Sequence, residues 1–189
     1  MQTLKATVSI LFLLCVAASG LSQKAAEGSD GTILLGQGYS FILKEPNGWV
    51  IDGPAARSQG LGAVLYREGS SWKAAAVVMY ARVIYKDETQ PTVEKVISDD
   101  VSDFLKQSRE SKVSESVALA TRDRKKAFVK DFYDAANKNY ESVAFIDEAK
   151  VVVILALSSR DKNEFEKSLP AFQQLVGSYF FVKELVSPR

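Results

Sequence analysis

Val151-Val152-Val153-Ile154-Leu155-Ala156-Leu157 is apolar at every position, odd and even alike. Successive side chains of a strand point to opposite faces. This run therefore reads as the central strand of a sheet that is covered on both sides. Trp72–Tyr85, rich in Val and Ala, reads the same way. Shorter strands are expected at Tyr39–Leu43, Gly62–Tyr66, Lys112–Ala120, Lys125–Tyr133 and Tyr140–Asp147, with turns at Arg122-Asp123, Asn137-Lys138-Asn139 and Asp147-Glu148. The Asp52–Gly60 stretch, with Pro54 and glycine, reads as a loop.

Two helices supply the cover. Pro91-Thr92 opens the first, with Val93, Val96, Ile97, Val101, Phe104 and Leu105 on one stripe. Asp161-Lys162-Asn163-Glu164 has the form of a capping box and opens the second, with Phe165, Leu169, Phe172, Val176 and Tyr179 on one face. Pro170 is expected to kink or split that helix. The order of elements gives an α+β fold: a central antiparallel β-sheet of about six or seven strands covered by two main helices.

The N-terminus carries Lys5, then an apolar run from Ala6 to Ala18, then small residues to Ser22. This is the order of a secretory signal peptide over residues 1–22, with cleavage after Ser22 or after Ser19. The apolar run is too short for a membrane span, which needs ~20 residues. Leu14 precedes Cys15, where a lipidated cysteine follows a small residue, so Cys15 reads as part of the apolar run. Residues 23–38 are expected to be a flexible lead-in, 39–182 a single α+β domain and 183–189 a loose tail. The expected location is secreted or periplasmic, with no integral membrane span after processing.

Cys15 is the one cysteine of the 189 residues, and there is no histidine. A processed chain has neither. Ser-His-Asp and Cys-His nucleophilic sites are excluded, as are zinc sites built from His or Cys. No Asp-rich calcium loop and no glycine-rich phosphate loop occurs. No cofactor, no metal and no catalytic residue is assigned. The leader holds one Lys and no acid, which leaves 23 basic and 23 acidic residues. Net zero charge argues against nucleic acid, which takes a basic face.

The opening strand runs into Pro46-Asn47-Gly48-Trp49. With Phe41, this resembles the F-x-x-x-x-P-x-G-W start of the PsbP-like superfamily, and the Tyr140–Leu157 hairpin and closing Phe172–Phe180 helix are similar to its C-terminal half. The resemblance implies a PsbP-like sandwich, a central antiparallel sheet between helices, and a family that mostly binds partners. Some members use histidine or acidic clusters. This chain has no histidine, so no site is carried over.

The candidate partner surface comprises Trp49, Trp72, Arg124, Lys125 and Lys126. Tryptophans are frequent anchors of interfaces, and Arg122-Asp123-Arg124-Lys125-Lys126 is a basic turn that suits an anion or an acidic partner. The plainer readings are core plugs for the tryptophans and a solvated, aggregation-resistant turn for the basic run. Asp99 and Asp103 share a helical face, where a solvated pair near a helix N-terminus is the plainer reading than acid–base work. Arg82, inside an apolar run, is expected to pair with a carboxylate such as Asp131 or Asp147, or to reach solvent. These features lead to an exported, non-catalytic accessory module that binds a protein or envelope component. The alternatives are a hydrolase using carboxylates alone and a small-ligand carrier whose pocket is lined by Phe104, Phe165 and Phe172.

Overall fold

The computed structural model describes the backbone of Glu27–Gly28 and residues 31–182. The leader at 1–22, the start of the lead-in and the tail at 183–189 lie outside the described residues.

Among the described residues twelve strands and three helices follow in chain order: β1 (Glu27–Gly28), β2 (Gly31–Gly36), β3 (Tyr39–Leu43), β4 (Trp49–Ile51), α1 (Gly53–Ser58), β5 (Ala63–Arg67), β6 (Val77–Tyr85), α2 (Val93–Gln107), β7 (Lys112–Glu115), β8 (Leu119–Ala120), β9 (Lys126–Asp134), β10 (Asn139–Asp147), β11 (Val151–Ser159), α3 (Lys162–Ser178) and β12 (Phe180–Phe181). The main sheet is antiparallel, in the order β4-β5-β6-β11-β10-β9-β7, with β8 also on β9. Val151–Leu157 lies in β11, at its centre, and every side chain of that run is buried.

Alternation along the strands divides the core. Val151, Val153, Leu155 and Leu157 pack with Phe172, Leu175, Val176 and Tyr179 of α3. Val152, Ile154 and Ala156 pack with Val93 and Val96 of α2. One helix thus covers each face, as two doubly apolar strands require. The expected α+β class and sandwich arrangement hold.

Several elements differ from expectation. The end of the supposed flexible lead-in is β2. Ile33, Leu34 and Leu35 lie between glycines, and the Gln37-Gly38 turn folds them onto β3, pairing Ile33 with Ile42 and Leu35 with Ser40. Tyr39–Leu43 accordingly belongs not to the main sheet but to a second one, β1-β2-β3-β12, which contributes Leu34, Phe41 and Leu43 to the core on the α3 side. Asp52–Gly60 is not all loop. The Asp52 carboxylate accepts the Ala55 N–H at 2.9 Å and, with Pro54 in the first turn, starts α1. Trp72 stands in a turn before β6 rather than in the strand, and Lys112–Ala120 is broken into β7 and β8.

α3 runs through Pro170 without splitting. Pro170 and Glu166, four residues back, are both exposed, so the carbonyl left without its helical donor is on the water side. The Asp161 carboxylate caps Asn163 and Glu164 N–H at 2.8 and 3.1 Å, as expected. The return half of the box is different: the Asp161 N–H donates to Ser159 Oγ at 3.0 Å, not to Glu164.

Gly31 adopts φ +124°, and a Cβ there would lie 2.6 Å from the Leu43 carbonyl oxygen. Gly31→Ala is expected to lower stability by roughly 1–3 kcal/mol, the range for a strained backbone residue. A urea melt measures this. A parent-like melt means that β2 is not docked on β3 as described.

Candidate functional site

α2 packs on the β10 and β9 part of the main sheet and leaves a groove of about 1040 Å³. Its helix wall is the stripe Ile97, Val101 and Leu105; its floor includes Phe128; Lys106, Lys126 and Lys130 stand along it with Glu94 and Glu115. The far wall is the sheet edge, which is broken at this point. Glu115 pairs with Lys130 and Leu119 with Ala127, so residues 116–118 face only Phe128 and Val129. The extra residue makes a bulge, which interrupts edge pairing and re-aims side chains. Ser116 N–H still donates to the Val129 carbonyl at 3.1 Å. Ser116 and Ala118 form the bulge bank of the groove, and Leu105 on the helix bank is 44% exposed. An apolar side chain so open to water above an apolar floor is the mark of an interaction surface.

Two of the three lysines along the groove are paired with carboxylates. Lys130 forms an ion pair with Glu115, and Lys106 pairs with Asp103 at 2.9 Å. Lys126 lies 4.6 Å from the centre of the Phe128 ring, a cation–π contact that spreads its stem over the floor.

The five candidate partner residues do not form one surface. Trp49 is 3% exposed, packed with the α3-side core beneath the Arg67 guanidinium, 5.2 Å from its ring. Trp72 is half-buried on the opposite face of the sheet, with Ala56, Val64 and Tyr66. Arg124 is exposed at the tip of the basic turn, in a left-handed conformation with φ 62°. Lys125 turns inward to an ion pair with Glu148, itself 4% exposed, which also accepts the Tyr179 hydroxyl at 3.0 Å. Burial, followed by the Glu148 charge, pushes the Tyr179 phenol far up. Lys125 and Arg122 also lie over Phe181 and Phe180, so much of this basic turn clamps β12. Of the five, Lys126 alone lines the groove.

A second concavity, of about 130 Å³, opens beside the last turns of α2 among Tyr80, Arg82, Asp100, Phe104, Phe132 and Glu141. Arg82 pairs here with Asp100 at 2.5 Å, not with Asp131 or Asp147. Strand parity explains the correction. Arg82 shares its face of the sheet with Tyr80 and Ile84, toward α2, whereas Asp131 alternates with Ala127 and Val129, toward α3. Asp147, at the strand end, pairs with Lys86.

Glu141 accepts from Ser158 Oγ at 2.8 Å and Asn139 Nδ2 at 3.0 Å, both on Oε1. Burial raises its pKa against these hydrogen bonds and the nearby Arg82. Sequence reasoning passed over this residue. The available signal was a glutamate alternating with Val143 and Phe145 on one face of a strand.

Asp99 is tied to Lys95 and to Gln90, and these hydrogen bonds hold its carboxyl below the usual range. This is the solvated, charge-paired arrangement, not an acid–base pair with Asp103. Phe104 lies on the α2 face while Phe165 and Phe172 lie on the α3 face, so the three do not line one pocket. Among the described residues no cluster of acids suits a metal ion, and no helix is long and apolar enough to cross a membrane.

No family model matches the chain, and no curated protein matches it. Among solved structures, it is similar to the solution structure of cyanobacterial PsbP from Synechocystis sp. PCC 6803. The identity is 14% and the TM-score 0.48, over 90% of this chain and 99% of that one. The likeness says nothing of a partner or an activity.

Proposed function

We propose that this chain is an exported, non-catalytic accessory module whose working surface is the groove between α2 and the bulged sheet edge, and that an extended segment of a partner protein occupies it. The carrying observation is the exposure of Leu105 on the helix bank of a groove whose other apolar lining includes Ile97, Val101 and Phe128, facing a sheet edge whose pairing is interrupted at residues 116–118. A segment lying along the bulge would place alternate apolar side chains on Ile97, Val101 and Phe128, as in strand addition to a sheet edge. The paired charges along the groove leave no strong field, so selectivity rests on shape and apolar contact rather than on steering. Export rests on the Lys5, apolar and small-residue order of residues 1–22.

A photo-reactive residue in place of the exposed groove residue Ala118, in the chain expressed in its source cells, tests this reading. A discrete adduct is expected, lost when Leu105→Asp places a charge on the opposite bank. The same probe at exposed Lys73, outside the groove, is the control. Equal adducts from the two positions, or an adduct indifferent to Leu105→Asp, refute the groove as the working surface.

A carboxylate-only hydrolase fits less well. The cleft at Glu141 does set a desolvated acid near Asp100, but Asp100 is committed to Arg82. Its 130 Å³ is well below the ~300 Å³ at which small-molecule pockets begin.

A further inference from the structure

We infer that the cleft beside the C-terminal turns of α2 is a binding site for a single alkylammonium group, seated on the outer oxygen of Glu141 between the rings of Tyr80, Phe104 and Phe132. It is lined by Asp100, Asp103, Phe104 and Gln107 of α2, a stripe next to the one that walls the groove, and it stands independently of the groove proposal.

Four observations converge on a cation of this size. Both hydrogen bonds to Glu141 end on Oε1, and Oε2 accepts none among the described residues. Arg82 is neutralised by Asp100, and Asp103 by Lys106, so the charge in the cleft without a paired partner is that of Glu141. The walls are aromatic, with Phe104 and Phe132 edge to face at 5.0 Å, and the faces of such rings attract cations. The cleft adjoins the C-terminal end of α2, where the helix dipole favours positive charge. A volume of 130 Å³ equals the share of about four waters at ~30 Å³ each, enough for an ammonium headgroup and too little for a sugar or a nucleotide. The raised pKa of Glu141 is consistent with this: it is a carboxylate desolvated without a full counter-charge.

The ammonium group has two possible sources, a free small amine or the lysine side chain of a partner. NMR titration of the protein with methylammonium, tetramethylammonium and N-acetyl-lysinamide, each against sodium chloride at equal ionic strength, separates them. Saturable shifts of the Tyr80, Phe104 and Glu141 amides are expected, with millimolar affinity, and none with sodium. Binding of the lysine derivative alone assigns the site to a partner's side chain, and binding of the simple amines as well assigns it to free amines. Glu141→Gln should weaken binding about tenfold or more, the loss of one charge-assisted contact. Phe104→Leu should weaken it less, by removing one ring.

The Gln variant is expected to fold. It keeps an oxygen acceptor for Ser158 and Asn139. A carboxyl whose pKa is raised on folding favours the folded state below the unfolded value, and that contribution is lost as pH rises through the folded value. Above the folded value the ionised Glu141 is a burden that Gln removes, and there the variant should melt no lower than the parent. Binding to the parent should fall on acidification, as Glu141 takes its proton; the other groups facing it are Tyr80, Arg82, Asp100 and Asp103. Absence of saturable shifts with every amine, or undiminished binding by a folded Glu141→Gln variant, overturns the site.

Discussion

Phe172→Ala lowers the free energy of unfolding by about 3–5 kcal/mol, the range for deleting a buried aromatic side chain. Phe172 is 1% exposed and lies mid-way along α3, past Pro170, against the odd-numbered side chains of β11. Those strand positions are fixed by hydrogen-bonded neighbours on both sides, β6 and β10, so the sheet cannot move in to fill the void. Little relaxation means that the lost transfer energy and the cavity term are felt together. Total stability of such domains is about 5–15 kcal/mol, so the variant retains a small margin at best. Chemical denaturation of the purified parent and variant measures the difference. Phe104→Ala is the internal comparison. Phe104 is half-buried and faces a cleft, so its loss leaves less void and should cost clearly less. Equal costs for the two would mean that α3 does not seat on β11 as described.

The elements that were legible in the sequence are those whose signal is local and complete. Val151–Leu157 fixes its own burial because both parities are apolar. Thr92 and Asp161 fix helix starts because a cap needs only the next turn: the Lys95 N–H reaches Thr92 Oγ1 at 3.2 Å, and Asp161 closes two donors. The second sheet was not legible, because its strands take their meaning from distant partners. Phe180 and Phe181 pair with Ile42 and Phe41, and no local pattern in either segment announces the other. β2 was hidden for a different reason. Three apolar residues in a glycine-flanked stretch do not shift a composition that reads as polar and small. α1 carried a readable signal, Asp52 before Gly53-Pro54, which the surrounding glycines made look like a loop.

The sites depended on register. Which face of β6 carries Arg82, and which face of β9 carries Asp131, follows only when the strands are aligned, and alignment separates the pair that charge alone would join. The groove likewise rests on a mismatch between β8–β7 and β9, which a continuous strand reading of Lys112–Ala120 conceals. The basic turn shows the opposite error. Its residues are adjacent in sequence and look like one patch, yet Lys125 points into the protein and Lys126 toward the groove, because neighbours in extended chain face opposite ways.

Glu148→Ala is the second large effect expected, about 2–3 kcal/mol. Glu148 sits in the β10–β11 turn with its side chain 3% exposed, and holds Lys125 on Oε2 and the Tyr179 hydroxyl on Oε1. Removing it leaves the hydroxyl of a fully buried tyrosine without an acceptor, a loss of ~1–3 kcal/mol. Breaking a wholly buried ion pair costs ~3–5 kcal/mol. Here the Lys125 side chain is 31% exposed and can turn to water, which brings the sum below that range. Glu148→Gln keeps an acceptor for Tyr179 and loses only the charge facing Lys125, so it should fall between parent and Ala. Tyr179→Phe removes the donor together with the need for it and should cost least. Denaturant melts of the three variants give the order. β12 is the place to look for the mechanism: it follows Tyr179 directly and is overlain by Lys125 and Arg122, so hydrogen exchange at Val182, whose N–H donates to the Ser40 carbonyl, should quicken in Glu148→Ala before global unfolding does. A Glu148→Ala protein that melts like the parent would mean that Lys125 is not held inward, and the basic turn would again be free to face a partner.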